Sequence, residues 1–208
     1  RQPVATVNAR VVSFGNITAG GTGKTPAVIE RVRAESSQGH RVAVVTRGYG
    51  SARVSEPFVV EPDMTQAEVA RLVGDEPALI RHHVPDCVIV KAARRVDGAQ
   101  VAVEQHGCDV VILDDAFQHV QLARDENVCL IDASNPFGTG HLIPRGVLRE
   151  PLSALTRATH IVLTRCDQAV DLPGLRATLT EQVPDLPVRE TIHAPGRLWN
   201  LKSGATVP

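Results

Sequence analysis

The residues best suited to bind a ligand lie at 15–25, in a segment that reads GNITAGGTGKT. In a glycine-rich turn of this kind, backbone N–H groups point inward, and the positive end of a following helix adds to their attraction for phosphate oxygens. We therefore expect Lys24 to reach the β- and γ-phosphates of a nucleoside triphosphate and the Thr25 hydroxyl to bind Mg²⁺. The predicted nucleotide-binding residues are Thr18, Ala19, Gly20, Gly21, Thr22, Gly23, Lys24 and Thr25.

This segment departs from two familiar phosphate-binding patterns. The P-loop pattern G-x-x-x-x-G-K-[ST] has glycine where this chain has Thr18. The later glycines still allow the backbone conformations that such a turn needs. Dimeric switch ATPases carry K-G-G-x-G-K-T, and Ala19 stands in place of their first lysine. That difference argues against the switch class. Only three of the 22 basic residues are lysines, which favours a specific role for Lys24 as a compact positive charge.

Two acids follow an apolar run at 110–113. An apolar strand that ends in a carboxylate is typical of the Walker B arrangement, in which the acid lies near the metal ion at the carboxyl edge of the sheet. We expect Asp114 to hold Mg²⁺ directly or through water, with Asp115 beside it. An ordinary strand-terminal acid that caps the next turn is the structural alternative.

The segment GDEP at 74–77 contains a candidate catalytic base. Phosphoryl transfer to an alcohol benefits from a carboxylate that orients the hydroxyl group and accepts its proton. Asp75 or Glu76 would supply that carboxylate. The segment is equally typical of a helix start, with Asp75 as the N-cap and Pro77 in the first turn. Both interpretations stay open.

Two further clusters carry polar groups that could act on a transferring phosphoryl group. Gln118 and His119 follow the acid pair, and a proline-bounded loop at 144–151 contains Arg145, Arg149 and Glu150. Arginines in such a loop would neutralise developing charge or grip an anionic substrate. Surface salt bridges are the alternative, and for Arg145 we favour them.

These residues need a scaffold, and the chain alternates short apolar runs with amphipathic stretches. Strands are predicted at 11–14, 42–46, 58–60, 87–90, 109–113, 127–131 and 160–164, and helices at 26–38, 65–73, 76–83, 94–106 and 172–183. The strands are continuously apolar, which is expected when both faces of a sheet are covered. The pattern predicts an α/β fold of the P-loop NTPase type, with a mostly parallel sheet and helices on both faces.

Composition sets the class of protein. The 208 residues carry a net charge of −1, which argues against a nucleic-acid partner, and no run is long enough to span a bilayer. We expect a kinase core domain at 1–190, and at 191–208 a linker or the start of another domain. Because residue 1 is arginine and the one methionine is Met64, and because the sequence stops at 206–208 just after a new segment opens, we expect a chain truncated at both ends.

The chain resembles the tetraacyldisaccharide 4′-kinase (lipid A 4′-kinase) family from about residue 11 to residue 160. Five blocks occur in the family's order: GNITAGGTGKTP at 15–26, RGYG at 47–50, GDEP at 74–77, DDAFQH at 114–119 and LREP at 148–151. The resemblance implies transfer of the ATP γ-phosphate, with Mg²⁺, to the 4′-hydroxyl of a tetraacylated glucosamine disaccharide 1-phosphate. It also implies peripheral contact with the cytoplasmic face of the bacterial inner membrane, and we expect a monomer.

The resemblance also implies residue roles. Its catalytic residues correspond to Lys24, Asp75, His119, Arg149 and Glu150, and its substrate contacts to Tyr49, Glu76, Arg95 and Gln118. Family members add an Asp-His-His-x-Tyr motif and an amphipathic N-terminal segment. Neither occurs in this sequence, and we expect both to lie outside it.

Two alternatives to a lipid kinase remain at this point. One is a nucleotide-driven switch or assembly ATPase that acts on a protein partner. The other is a P-loop transferase with a soluble substrate. The first predicts ATP hydrolysis that is indifferent to a phosphorylated disaccharide, and both predict that the downstream sequence lacks the His-His-x-Tyr segment.

Overall fold

A computed structural model describes residues 4–192 and 194, and the backbone of 198–199 and 206–207. The strands are β1 (Arg10–Gly15), β2 (Val42–Thr46), β3 (Phe58–Val59), β4 (Val88–Lys91), β5 (Val110–Leu113), β6 (Glu126–Asp132), β7 (His160–Thr164), β8 (Val188–Glu190), β9 (Leu198–Trp199) and β10 (Thr206–Val207). The helices are α1 (Lys24–Ser37), α2 (Gln66–Val73), α3 (Asp75–His83), α4 (Arg95–Glu104) and α5 (Leu172–Gln182), with 3₁₀ turns at Leu152–Arg157 and Cys166–Gln168.

Eight strands form one sheet in the order β3-β4-β2-β5-β1-β6-β7-β8, and β9 pairs with β10 separately. Every neighbouring pair in the large sheet is parallel except β3 with β4, which is antiparallel at one edge. The predicted α/β fold with a mostly parallel sheet is therefore confirmed. Because β1 lies near the middle, the loop that follows it is flanked by strand ends on both sides.

Helices cover both faces of this sheet, as the continuous apolar runs predict. Helices α1, α2 and α3 pack on one face through residues such as Val28, Val69 and Ile80, which share a core with Val12 of β1. On the other face, α4 packs against β2, β4 and β5, and α5 joins a core formed by β6 and β7. Among the described residues, no helix has the length and apolar character needed to cross a membrane.

Two expectations about the elements are wrong. The predicted strands end with 160–164 and omit β8, which runs parallel to β7 at the edge of the sheet. Its three residues are all exposed, so burial leaves no apolar pattern to detect. The predicted linker at 191–208 falls mostly outside the described residues.

The second correction concerns the start of α3. Gly74 ends α2 and also caps α3 with a φ of 116°, so Asp75 is the first helical residue and not the N-cap. A φ in this region favours glycine because a side chain would be strained there. The tight junction turns the chain sharply between the two helices and puts the first turn of α3 at the edge of the cavity described next.

Candidate active site

A cavity of about 880 Å³ lies at the carboxyl ends of the parallel strands, which is where open α/β sheets bind ligands. Its lining combines the loop after β1 with residues that follow β2, β4, β5 and β7. The lining residues are Gly20, Gly21, Thr22, Gly23, Lys24, Thr25, Pro26, Thr46, Arg47, Gly48, Tyr49, Glu76, Ala93, Arg95, Asp114, Asp115, Gln118, His119, Arg149 and Arg165. A volume of this size lies within the range of known small-molecule sites.

The N-terminus of α1 opens into this cavity with its backbone donors uncapped. Gly23 precedes the helix with a φ of 81°, a left-handed conformation that glycine adopts without strain. Within the described chain, α1 receives no side-chain cap, and its first turn contains no acidic residue. By contrast, α2 begins with a complete capping box formed by Thr65 and Glu68. Free N–H groups at the positive end of a 14-residue helix attract an anion such as phosphate.

Lys24 is the first residue of α1, and only 8% of its side chain is exposed. Its ammonium lies 3.5 Å from a carboxylate oxygen of Asp115 and 3.4 Å from Oδ1 of Asn16. A lysine at the positive end of a helix is unfavourable unless anions surround it. Asp115 provides one such anion, and a bound phosphate would provide more.

Asp114 lies in the floor of the cavity and is almost fully buried, with 2% of its surface exposed. One carboxylate oxygen lies 3.5 Å from the Thr46 hydroxyl, whereas Oδ1 has no hydrogen-bond partner in the described part of the chain. Burial and the nearby carboxylates of Glu76 and Asp115 raise the pKa of Asp114 to about 6, although Lys24 and Arg95 oppose the shift. A buried carboxylate oxygen without a partner is the kind of atom that a metal ion would satisfy.

Asp115 and Arg149 meet at the mouth of the cavity. One guanidinium nitrogen of Arg149 lies 3.1 Å from both carboxylate oxygens of Asp115. Asp115 has a φ of 46°, which is uncommon outside glycine. Residues held in this conformation cluster at functional sites. Asp115 therefore contacts two cations, Arg149 and Lys24.

Thr18 and Ala19 stand apart from the other predicted nucleotide-binding residues. Neither belongs to the cavity lining formed by the described residues. Thr18 forms an isolated β-bridge with Leu148, and the backbone N–H of Ala19 donates to the carbonyl of Val147 at 2.7 Å. These two residues therefore join the phosphate-binding loop to the segment that carries Arg149.

Gln118 and Glu150 form a polar link beside the loop. The Gln118 amide donates to the carbonyl of Asn16 at 2.9 Å and to Glu150 at 3.0 Å. Glu150 also accepts a 2.6 Å hydrogen bond from Arg157. Of the two, Gln118 lines the cavity, whereas Glu150 is absent from the lining formed by the described residues.

Arg95 and His119 contribute nitrogen atoms to the same cavity. Arg95 is 4% exposed and donates to the backbone carbonyls of Ala92 at 2.9 Å and Asp114 at 3.2 Å. Burial lowers the pKa of Arg95, and the nearby carboxylates of Asp114 and Asp115 offset part of that effect. Burial, together with Arg95 and other arginines, lowers the pKa of His119, which favours a neutral imidazole. Its Nε2 has no partner among the described residues.

The candidate base residues are both exposed but differ in position. Glu76 lines the cavity, and its charge reaches Asp114, whereas Asp75 is not part of the lining that the described chain forms. Tyr49 also lines the cavity, yet 95% of its surface is exposed. Arg145 is exposed and has no ion pair within the described residues, so the surface salt bridge favoured for it stays a prediction.

Several residues of the site were not predicted from the sequence. Asn16 is fully buried and connects the loop to Lys24 and Gln118, and Thr46, Arg47 and Arg165 line the cavity. Thr46 ends β2, Arg47 follows it, and Arg165 follows β7. The rule that ligands bind at the carboxyl ends of parallel strands would have identified these three. Asn16 lies inside the glycine-rich segment at 15–25, but its residue type alone assigned it no role there.

The donor set fits a magnesium ion that is shared with a nucleotide. No group of three or more His, Cys, Asp or Glu side chains among the described residues could hold a metal ion alone. Mg²⁺ in kinase sites is held by one or two carboxylates together with substrate phosphates. Asp114 with its unpartnered oxygen, Asp115 and the Thr25 hydroxyl are the residues that would hold it.

Comparisons with known proteins agree with this geometry. A family model described as tetraacyldisaccharide-1-P 4′-kinase matches residues 2–206. The tetraacyldisaccharide 4′-kinase of Anaeromyxobacter dehalogenans (strain 2CP-C) is 44% identical over 198 residues, which cover 94% of this chain and 52% of that protein. The enzyme of the same name from Pelobacter propionicus is 39% identical over 198 residues, covering 95% and 53%. This chain therefore spans about half the length of the curated relatives it matches.

A solved structure shares the fold. The crystal structure of LpxK from Aquifex aeolicus in complex with ATP superposes with a TM-score of 0.69 at 24% identity, covering 93% of this chain and 73% of that one. At this identity the likeness bears on the fold alone.

Proposed function

This chain belongs to the tetraacyldisaccharide 4′-kinase family, and on that premise we propose that it is the ATP-binding core of a lipid kinase. The reaction is transfer of the ATP γ-phosphate to the 4′-hydroxyl of a tetraacyl glucosamine disaccharide 1-phosphate, in lipid A biosynthesis. The observation that carries the proposal is the meeting of Lys24, Asp114 and Asp115 in one cavity with the uncapped N-terminus of α1.

Each of these groups has a task in phosphoryl transfer. The backbone N–H groups of the loop from Gly20 to Gly23 would bind phosphate oxygens, and Lys24 would stabilise the charge on the β- and γ-phosphates. When bound, Mg²⁺ would neutralise charge on the β- and γ-phosphate oxygens, held by Thr25 and Asp114. Arg149 is paired with Asp115 and lines the cavity, where its guanidinium would stabilise transition-state charge.

The acceptor side of the cavity carries Tyr49, Glu76, Arg95, Gln118 and His119. We propose these residues as contacts to the disaccharide headgroup. The neutral imidazole of His119, with an unpartnered Nε2, can exchange a hydrogen bond with a sugar hydroxyl. The family resemblance assigns the base to Asp75, while Glu76 next to it is the carboxylate that lines the cavity. A base must lie within hydrogen-bond reach of the proton it accepts, and sites often tighten when substrate binds.

Mg²⁺ dependence, a monomeric state and peripheral contact with the cytoplasmic face of the inner membrane complete the proposal. Exposed apolar side chains near the mouth support contact with a lipid. Tyr49 lines the cavity and is 95% exposed, and Leu142 and Ile143 are about half exposed on the loop that leads to Arg149. Flotation of the protein with vesicles of anionic phospholipid, compared with the Leu142→Ser/Ile143→Ser variant, measures this contact.

The direct test uses the full-length protein with labelled ATP, Mg²⁺ and the disaccharide 1-phosphate. The proposal expects a bis-phosphorylated lipid that is absent without Mg²⁺ or acceptor. A protein that binds ATP but yields no such product would reject the lipid kinase. ATP hydrolysis that a protein partner stimulates, and that ignores the disaccharide, would support the switch ATPase instead.

A further inference from the structure

The order of the strands divides the cavity into two sides around the phosphate-binding loop. Strands β5, β2 and β4 lie on one side of β1, and their ends carry Asp114, Arg47 and, just beyond, Arg95. Strands β6 and β7 lie on the other side, where β6 ends at Asp132 and Arg165 follows β7. In an in-line transfer, the attacking and leaving oxygens lie on opposite sides of the phosphorus. An acceptor on the Arg47 side therefore puts the nucleoside on the Arg165 side.

The second side holds the outer surface of the loop. When the N–H groups of a loop point inward at phosphate, its carbonyls point away and need donors of their own. Two donors come from the end of β7. The buried Thr164 hydroxyl donates to the carbonyl of Thr22 at 3.1 Å, and Arg165 donates to the carbonyl of Gly21 at 3.3 Å.

Arg165 is itself fixed by a second contact. Its guanidinium forms an ion pair with Asp132, whose other oxygen accepts hydrogen bonds from the backbone and side chain of Ser134. Arg165 has a φ of 54°, in the left-handed region that non-glycine residues avoid. An unfavourable backbone conformation next to a cavity is maintained only when surrounding contacts hold it. Here the carboxylate and the loop carbonyl do so.

We propose that Arg165, held by Asp132, is a positioning residue that keeps the phosphate-binding loop in its nucleotide-binding shape and forms the wall on the nucleoside side. The inference rests on the proposed ATP site and extends it to residues that no sequence motif marked. Arg165 also lines the cavity, so its charge adds to the attraction for the nucleotide phosphates.

The test measures nucleotide binding and turnover separately in the full-length protein. Calorimetry with Mg²⁺ and a non-hydrolysable ATP analogue should show about tenfold weaker binding for Arg165→Ala, equivalent to about 1.4 kcal/mol. The KM for ATP should rise by a similar factor while kcat changes less. Asp132→Asn should act in the same direction. The double variant should be no weaker than Arg165→Ala alone, because the two residues act through each other. Arg176→Ala, which removes an exposed ion pair with Glu190 away from the cavity, is the matched control.

Two results would overturn the inference: wild-type analogue affinity in Arg165→Ala, or a fall in kcat with an unchanged KM for ATP. If Arg165→Ala does not fold, Arg165→Lys carries the test, since lysine keeps the charge but lacks the fork that contacts Gly21 and Asp132 together. Its affinity should then be intermediate. Analogue binding needs no lipid, so a protein that makes no lipid product yet loses affinity in Arg165→Ala would reject the proposed acceptor and support the inference.

Discussion

Helix α1 connects two clusters of buried charge that differ in how well their atoms are satisfied. Lys24 at its start faces the cavity, and Glu35 in its last turn lies on the far side of the molecule, about 16 Å away along the helix axis. Both side chains are almost fully buried. Their surroundings nevertheless differ, and the difference separates a site from a structural contact.

The cluster around Glu35 is satisfied by the protein itself. Glu35 accepts from Arg31 at 2.7 Å, is paired with Arg10, and lies 3.0 Å from the His40 ring. Arg31 also donates to Glu126 at 2.9 Å, and these hydrogen bonds lower the pKa of Glu126. Every charge in this group has an opposite charge in contact.

The buried polar residues that line the cavity are not fully satisfied by the protein. Of the six buried side-chain polar atoms without a partner in the described part of the chain, four belong to cavity-lining residues: Thr22, Arg95, Asp114 and His119. None belongs to the Glu35 cluster. Natural proteins rarely leave buried polar atoms unpaired without a functional reason. Charge burial alone therefore does not distinguish the cavity from a structural ion-pair cluster, whereas unpaired buried polar atoms do.

The largest effect is expected for Lys24→Ala. Removal of the only lysine in the loop takes away the charge that faces the β- and γ-phosphates, and we expect kcat/KM for ATP to fall by about 10³-fold or more. Lys24→Arg should recover little of this, because a planar guanidinium does not replace a compact ammonium. The lipid kinase assay measures both, and thermal melting should show an intact fold. Retention of a tenth of wild-type activity by Lys24→Ala would contradict the assignment.

The next largest effect is expected for Asp75→Asn, which should lower kcat by about 10²- to 10³-fold with little change in ATP affinity. The reason is loss of the carboxylate that accepts the proton of the sugar hydroxyl. Glu76→Gln is the matched comparison, with the same chemistry one residue along the helix. If Glu76→Gln loses more kcat than Asp75→Asn, the base is Glu76, in keeping with its place in the cavity lining.

Glu35→Gln tests the other end of α1. Loss of its charge leaves Arg10 and Arg31 without a shared partner, and we expect the free energy of unfolding to fall by about 2–4 kcal/mol. The KM for ATP should stay unchanged, since the cavity lies at the opposite end of the helix. Urea unfolding combined with ATP kinetics measures both quantities. A raised KM with unaltered stability would show that the two clusters are not separate.

Much of the cavity could be predicted because its key residues are adjacent in sequence to recognisable local patterns. The glycine-rich turn precedes Lys24 directly, and the apolar run of β5 leads straight into Asp114. The order of helices and strands followed from continuous apolar runs between amphipathic stretches, and it is confirmed by the structure.

The rest depends on partners that are distant along the chain. Arg165 contacts Gly21 across 144 positions, and Arg31 contacts Glu126 across 95, so no local pattern indicates either pair. Strand β8 was not predicted because its side chains are exposed at the edge of the sheet. The engagement of Ala19 with Val147 was likewise hidden, since it involves backbone atoms that residue type does not specify.

Asp114→Asn should have a smaller effect on stability, and in the opposite direction from Glu35→Gln. Because the folded protein raises the pKa of Asp114 from 3.8 to about 6, this carboxyl favours folding fully below pH 4, and that contribution is lost as the pH rises through 6. Above pH 7 the ionised, partly unpaired carboxylate opposes folding. An uncharged amide should therefore stabilise the unliganded protein at pH 8 by about 1–3 kcal/mol and make little difference at pH 4.

Urea unfolding of wild type and Asp114→Asn at both pH values measures this difference, with exposed Asp167→Asn as the control carboxylate. The same variant should lose most kinase activity, since it removes the charged oxygen proposed to hold Mg²⁺. A variant that is more stable but inactive is what we expect if Asp114 serves ligand binding and does not stabilise the fold. Lower stability of Asp114→Asn at pH 8 would mean that Lys24 and Arg95 already satisfy this carboxylate, and the contrast with the Glu35 cluster would disappear.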